Sequence, residues 1–165
     1  MFYVSDTYES RRKRILEFKN EQNICIAILL ASADFEWTIR RIMLSLSEIP
    51  NTIIRNDKKY LFRCSGHGKY KEVWNKLIKP NTSLINPINS GQGLSLSEVI
   101  PNWEAYKTAL DARHRIIHGI KPNAKFEDGS ADLDCILDAT DHLIRFSNVN
   151  GYDVYSRIKV KKVKK

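Results

Sequence analysis

The feature that most limits how this chain can fold is a stretch, 6–47, that contains neither glycine nor proline. From Tyr8 to Gln22 the stretch is highly charged, and from Ile24 onward it is apolar on most faces and then amphipathic. Apolar residues that recur every three or four positions are typical of an amphipathic helix, and Pro50 marks its end. The pattern predicts either two helices or one helix with a break near 20–23.

Three further segments carry apolar residues at helical spacing: 69–79, a segment from 101 or 102 to 118, and 131–149. The region 51–68 contains two short strand-like runs and is interpreted as an ordered loop or a small hairpin. The connection 81–97 is rich in Asn, Ser and Gly, and a loop of this length is usually functional or mobile. The sequence therefore predicts an all-α fold, an antiparallel bundle of four to five helices with a long loop between helices two and three.

The chain shows no internal repeat, no low-complexity linker and no change in composition that would mark a domain boundary. Its 165 residues are enough for one domain with a substantial core. We therefore expect a single helical domain over 1–158. The remaining residues, 159–165, form a basic tail that we expect to be disordered.

The net charge of +8 favours polyanionic partners, with nucleic acid first and an anionic membrane second. Part of the excess lies in the tail, which can also be no more than a solubilising end. The apolar run from Ile24 to Ala33 is about half of the ~20 residues that a membrane span requires, so no membrane partner is expected. Three widely spaced cysteines argue against a disulfide framework and favour a reduced, cytoplasmic protein.

The sequence Arg-His-Arg-Ile-Ile-His-Gly at 113–119 places an arginine and a histidine five positions apart at the end of the predicted third helix. Arginine keeps its charge at any physiological pH, whereas histidine can change its charge near neutrality. At about 100° per residue, Arg113 falls inside the apolar arc of this helix, and His114 and His118 share one face at its edge. Gly119 stands where a left-handed C-cap glycine belongs. Such a group can bind a phosphate and move a proton beside it.

A purely structural interpretation of these residues is also open. A charge on an apolar arc needs a partner, a water-filled cleft or a bound phosphate. Arg113 can extend its charged end to solvent or pair with a core carboxylate such as Glu36. His118 can interact favourably with the dipole at the end of the helix.

The stretch 113–119 resembles the signature of the HEPN superfamily (the higher-eukaryote and prokaryote nucleotide-binding domains). That signature is an arginine, a polar residue, three further residues and a histidine, near the end of a late helix in a small helical bundle. Arg113, His114 and His118 fill the three places, and a glycine follows, as it often does in the family. The segment 33–42 is similar to the first core helix of many such domains, which carries a glutamate before a basic and apolar stretch.

Many HEPN domains are metal-independent endoribonucleases in toxin–antitoxin, abortive-infection or CRISPR-linked defence, and they typically dimerise with the two motifs facing across a cleft. The resemblance therefore implies RNA as a partner, a homodimer with the active site at its interface, a cognate antitoxin or defence partner, and no metal or cofactor. Other HEPN domains have lost catalysis and only bind nucleotides or partner proteins, which is the alternative function here. A third possible function is that of a basic helical adaptor with no catalytic or ligand-binding site.

The resemblance also implies a role for each residue. Arg113 would bind the scissile phosphate and stabilise charge on its oxygens. His118 would act as general base on the ribose 2′-hydroxyl or as general acid on the leaving 5′-oxygen. His114 would orient the site or serve as the second acid or base. The products would be a 2′,3′-cyclic phosphate and a 5′-hydroxyl.

Three further residues are candidates for supporting roles. Glu36 would support the three catalytic candidates. Arg115 and Lys121 would bind RNA. In one antitoxin-paired branch of the family a tyrosine stands two residues after the histidine. Ile120 occupies that position in this chain, so the sequence departs from that branch.

Overall fold

The computed structural model describes residues 6–61, 66–89, 93–119 and 126–158, with the backbone alone for 126 and 127. Every regular element in these ranges is a helix, which confirms the all-α prediction. The ranges contain seven helices rather than four to five: α1 (Tyr8–Asn20), α2 (Ile24–Leu46), α3 (Asn51–Asn56), α4 (Gly66–Leu77), α5 (Leu96–Val99), α6 (Trp103–Ile117) and α7 (Phe126–Val149). No helix in this part of the chain is both long and apolar enough to span a membrane.

The predicted break in the first helical stretch is confirmed and divides it into α1 and α2. Gln22 has a φ of 59°, in the left-handed region. Its backbone N–H donates to the carbonyl of Lys19 at 3.1 Å, and that of Asn23 donates to Phe18 at 2.8 Å. This pair of hydrogen bonds is the Schellman arrangement that satisfies the last carbonyls of a helix. Because glutamine stands where glycine is usual, the ending is not obvious from residue type alone.

The start of α1 differs from what its sequence favours. Asp6 and Ser5 are both good N-cap residues, and Glu9 follows Asp6 at the spacing of a capping box. In the structure Thr7 is the N-cap, and its hydroxyl accepts a hydrogen bond from the Ser10 N–H at 3.3 Å. The Asp6 carboxylate instead pairs with Arg14 at 3.2 Å. The cap therefore lies one residue later than Asp6.

The interpretation of the region after Pro50 as a loop or small hairpin is wrong for 51–56, whereas the described residues 57–61 lie in turns and coil. Residues 51–56 form the short helix α3, which begins directly after Pro50. The N–H groups of Ile53 and Ile54 both donate to the Pro50 carbonyl, so helical hydrogen bonding starts at once. β-Branched residues favour strands only weakly, and local hydrogen bonding overrides that preference here. The predicted connection 81–97 is without helix over 81–89 and 93–95, and α5 begins inside it at Leu96.

The last helix begins five residues earlier than its predicted start at 131. The sequence Asp-Gly-Ser at 128–130 is typical of a loop, but in the structure it lies inside α7. A Cβ atom on Gly129 would lie 2.7 Å from the Ile24 side chain. Glycine therefore has a packing role at this position, because it lets the first turns of α7 approach the start of α2 closely.

The contacts group the chain into two compact units, and the division falls within α2 and within α7. The first unit comprises residues 1–37 and 102–141, and the second comprises 38–101 and 142–165. In the first, the rings of Phe35 and Tyr106 lie 4.3 Å apart in the core. In the second, Trp74 packs on Phe146 at 5.4 Å and donates from Nε1 to the Leu94 carbonyl at 2.7 Å. The single domain over 1–158 stays a prediction, and the basic tail at 159–165 lies outside the described residues.

Candidate functional site

The candidate site lies at the C-terminal end of α6, in the first unit. One face of this helix is buried through Trp103, Tyr106, Ala109 and Ala112. Arg113 follows seven residues after Tyr106, which is nearly two helical turns and so returns to the same face. Arg113 therefore lies on the same face as the buried residues, near the end of the helix, as its position on the helical wheel predicts.

Arg113 is held by Glu36 on α2. Its Nη2 lies 3.4 Å from Glu36 Oε1, and 35% of the arginine side chain and 31% of the glutamate side chain are exposed. The ring contact between Phe35 and Tyr106 brings the two helices together beside this pair. A hydrogen bond between nitrogen and oxygen is usually about 2.9 Å long, so this pair is loose. In the part of the chain that the structure describes, Arg113 makes no other ion pair, and most of its five N–H donors stay available.

Two histidine rings lie against each other in a tilted arrangement at the C-terminal end of the same helix. The ring centroids of His114 and His118 lie 4.3 Å apart with 53° between the ring planes, and both residues are exposed. The His118 backbone N–H donates to the His114 carbonyl at 3.1 Å, which fixes the turn that carries both rings. The predicted shared face of the two histidines is thus present in the structure.

Gly119 ends α6 as the sequence predicts. Its φ is +65°, in the left-handed region, and its N–H donates to the Ile116 carbonyl at 3.3 Å. His118 therefore occupies the C-cap position itself. The partial negative charge of the last carbonyls favours a cation at this position.

Of the two candidate RNA-binding residues, Arg115 does not lie beside Arg113. Arg115 is two residues further along α6, about 200° around the helix axis from Arg113. Its charge acts instead on Asp132 of α7, where burial raises the pKa of the carboxyl and Arg115 lowers it. Lys121 lies outside the described residues. Residues 6–61, 66–89, 93–119 and 126–158 contain no group of three or more His, Cys, Asp or Glu side chains that could hold a metal ion.

A buried ion pair that the sequence analysis did not identify fixes the rotation of α2 in front of the site. Arg11 on α1 donates to Asp34 at 2.8 Å, with 3% and 6% of the two side chains exposed. The Arg11 guanidinium carbon also lies 3.8 Å above the Trp37 ring. Because Asp34 and Trp37 flank Glu36, these contacts orient the turn from which Glu36 reaches Arg113. An aspartate inside an apolar helix is the sequence signal, but its partner 23 residues earlier cannot be read from it.

The local arrangement combines a partly exposed cation with two exposed imidazoles at one helix end. A cation of this kind can bind an anionic oxygen, and an imidazole can accept or donate a proton. Comparisons of the chain with protein-family models, with curated proteins and with solved structures found no match.

Proposed function

We propose that this protein is a metal-independent RNA endonuclease with a HEPN-like helical fold, acting as a cytoplasmic toxin or antiphage-defence effector. The observation that carries the proposal is the arrangement of Arg113, which is about one third exposed and pairs among the described residues only with Glu36, at the same helix end as the adjoining rings of His114 and His118. The motif supplies a phosphate ligand and proton-transfer groups, which are the two things that RNA cleavage without a metal requires.

In the proposed reaction the ribose 2′-oxygen attacks phosphorus while the bond to the 5′-oxygen breaks. One imidazole removes the 2′-hydroxyl proton, and a second group donates a proton to the leaving 5′-oxygen. Arg113 binds the non-bridging oxygens and stabilises their charge in the transition state. Its long contact with Glu36 allows the guanidinium to turn toward a phosphate without losing a strong bond. The products are a 2′,3′-cyclic phosphate and a 5′-hydroxyl.

The same geometry supports a homodimer with a shared site. The attacking and leaving oxygens lie on opposite sides of phosphorus, and each needs a proton-transfer group within about 2.6–3.2 Å. The rings of His114 and His118 in one chain are only 4.3 Å apart and stand together on one side of the helix. A second copy would supply the group on the other side. Ile117, next to His118, has 52% of its surface exposed and offers apolar contact area for such a partner.

The direct test is incubation of the purified protein with RNA in EDTA, followed by analysis of the fragment ends. We expect cyclic phosphate and 5′-hydroxyl ends from the wild type, and none from Arg113→Ala or His118→Ala. The matched controls are Arg145→Ala, an exposed arginine of α7, and His67→Ala in α4, which should both cleave normally. Undiminished cleavage by both motif variants would rule the proposal out, and RNA binding without cleavage by the wild type would favour the non-catalytic alternative.

A mixing experiment tests the shared site. Arg113→Ala and His118→Ala chains are each expected to be inactive. After denaturation together and refolding, some dimers carry one chain of each kind. If each site draws on both chains, these mixed dimers recover part of the activity, whereas two separate sites would recover none.

The toxin role is tested by expression in cells. We expect the wild type to arrest growth and His118→Ala to be harmless at the same protein level. Equal growth arrest by both would contradict the proposal, because the arrest would then not depend on the site.

A further inference from the structure

The charge of this chain is divided unequally between its two compact units. The second unit, 38–101 and 142–165, contains 17 Lys and Arg and 5 Asp and Glu, whereas the first contains 10 and 14. Within the described residues alone, the second unit still has 11 Lys and Arg against 5 Asp and Glu. The Arg113 motif therefore belongs to a unit with a net negative charge, and the attraction of RNA has to come mainly from the second unit.

The most basic run of the first unit, 11–14 on α1, is neutralised within the fold. Arg11, Arg12 and Arg14 lie 2.8, 2.8 and 3.2 Å from the carboxylates of Asp34, Asp141 and Asp6. A cation that is already paired gains little from a phosphate, because the new contact replaces an existing one. This run therefore adds little attraction for RNA.

The end of α3 and the turn that follows it carry three cations that are not neutralised in this way. Arg55, Lys58 and Lys59 are all exposed, and their side chains form no hydrogen bond or ion pair with any described residue. The nearest carboxylate in sequence belongs to Asp57, and one of its oxygens already accepts the Lys59 backbone N–H at 2.8 Å. We call Arg55, Lys58 and Lys59 the α3 basic cluster.

The α3 basic cluster is held on the core by its uncharged neighbours. Ile54 and Leu61 are buried, and the Leu61 N–H donates to the Ile54 carbonyl at 3.1 Å, which closes the turn over the end of α3. Arg40 of α2 donates from Nη2 to the Leu61 carbonyl at 3.0 Å and ties the turn to a second helix. The three cations therefore extend from an anchored backbone, so that binding a phosphate chain has to order only their side chains.

We propose that the α3 basic cluster binds the phosphate backbone of RNA and forms a docking surface outside the Arg113 motif. This assignment rests on the RNA substrate of the proposed function and adds a surface that holds it. Lysine and arginine neutralise phosphates and release their counterions, which makes the binding strong at low salt and independent of base sequence. Because the cluster binds RNA and takes no part in the reaction, its loss should raise KM and leave kcat unchanged.

The first test measures binding separately from cleavage, with a strand of 2′-O-methyl RNA that lacks the attacking hydroxyl. Fluorescence anisotropy of the labelled strand gives Kd at several salt concentrations from about 50 to 300 mM. Replacing all three cluster residues with glutamine should weaken binding at least about tenfold at the lowest salt. The slope of log Kd against log salt should fall by about 2, since each phosphate contact on a single strand contributes about 0.7.

The matched control removes the same charge from the first unit through Lys13→Gln, Lys19→Gln and Lys107→Gln. Each of these lysines already pairs with a carboxylate, so we expect binding to weaken less than about threefold and the slope to stay the same. Unchanged binding in the cluster variant, or equal weakening in the control, overturns the proposal. The double variant Lys58→Gln and Lys59→Gln leaves α3 itself intact and should lower the slope by about 1.4, so the test does not depend on the folding of the triple variant.

Cleavage of unmodified RNA in EDTA then separates this proposal from the function on which it rests. We expect the cluster variant to show a KM raised at least about tenfold with kcat unchanged. Cluster-dependent binding in a wild type that does not cleave would support the docking surface and refute the nuclease, whereas cleavage with an unchanged KM would do the reverse. Vesicles of phosphatidylserine form the last arm, and cluster-dependent binding to vesicles with unchanged RNA binding overturns the proposal in favour of a membrane surface.

Discussion

Glu36 on α2 lies 3.4 Å from Arg113 on α6, with Oε1 facing Nη2 and about one third of each side chain exposed. A partly exposed pair of this length contributes little to stability, at most about 1 kcal/mol. Its consequence is instead positional, because it holds a cation with available donors on the last turns of the helix that also carries two histidines. Glu36 is thus a positioning residue in the proposed site.

Replacing Glu36 with glutamine keeps the shape of the side chain and removes its charge. We expect RNA to bind more tightly, because a negative charge beside the phosphate is lost. We expect kcat to fall about tenfold, because Arg113 is no longer held in place. The measurement is single-turnover cleavage over a range of protein concentrations, which separates affinity from rate. Glu104→Gln, on the exposed surface of α6, should change neither, and a loss of affinity without a loss of kcat in Glu36→Gln would contradict the positioning role.

The buried pair of Arg11 and Asp34 is expected to matter for stability rather than for catalysis. Arg11→Met leaves Asp34 buried without its ion pair and should lower the free energy of unfolding by about 3–5 kcal/mol. Urea denaturation measures this loss. Lys19→Met is the comparison, because the Lys19–Asp134 pair at 2.9 Å has 23% and 61% of its side chains exposed and should contribute less than about 1 kcal/mol. Similar losses of unfolding free energy in Arg11→Met and Lys19→Met would show that burial of an ion pair does not determine the cost of breaking it.

The stability of the protein should depend on pH through Asp34. Burial raises the pKa of its carboxyl, and the hydrogen bond and charge of Arg11 oppose this without cancelling it. A carboxyl with a raised pKa binds its proton more tightly in the folded state, so its contribution to stability is complete below the ordinary aspartate pKa of about 3.9. That contribution is lost as the pH rises through the raised value.

The measurement compares the wild type with Asp34→Asn by denaturation at several pH values. Because asparagine mimics the protonated acid, we expect the wild type to lose stability relative to the variant as the pH rises from about 4 toward neutrality. If the wild type instead became more stable relative to Asp34→Asn over this pH range, the pairing with Arg11 would outweigh the effect of burial on the Asp34 carboxyl.

Gly119 and Gly68 should respond in opposite directions to the same substitution. A Cβ atom at either position would meet none of the described residues within 4 Å, so the backbone conformation is the difference that matters. Gly119→Ala places alanine at a φ of +65° and should cost about 1–2 kcal/mol. Gly68→Ala, within α4, should stabilise by about 0.5–1 kcal/mol. Thermal denaturation with circular dichroism measures both, and a shift of the same sign in the two variants would contradict the assigned end of α6.

Much of the helical layout follows from local sequence. Apolar spacing predicts the long helices, and Gly119 ends α6 because its chemistry suits a left-handed residue wherever the chain goes. Local signals were misleading at two points. Ile53 and Ile54 favour a strand by residue type but form a helix after Pro50, and Gly129 suggests a loop but lies within α7 beside Ile24.

The sequence by itself determined the five longer helices, the end of α6 and the faces of Arg113, His114 and His118, because hydrogen bonds and side-chain spacing within one helix depend on near neighbours. Only the tertiary structure decided which carboxylate pairs with Arg113, and that carboxylate is Glu36. The same holds for the Arg11–Asp34 pair. These contacts join residues far apart in the chain, and their geometry depends on how whole helices pack rather than on any local pattern.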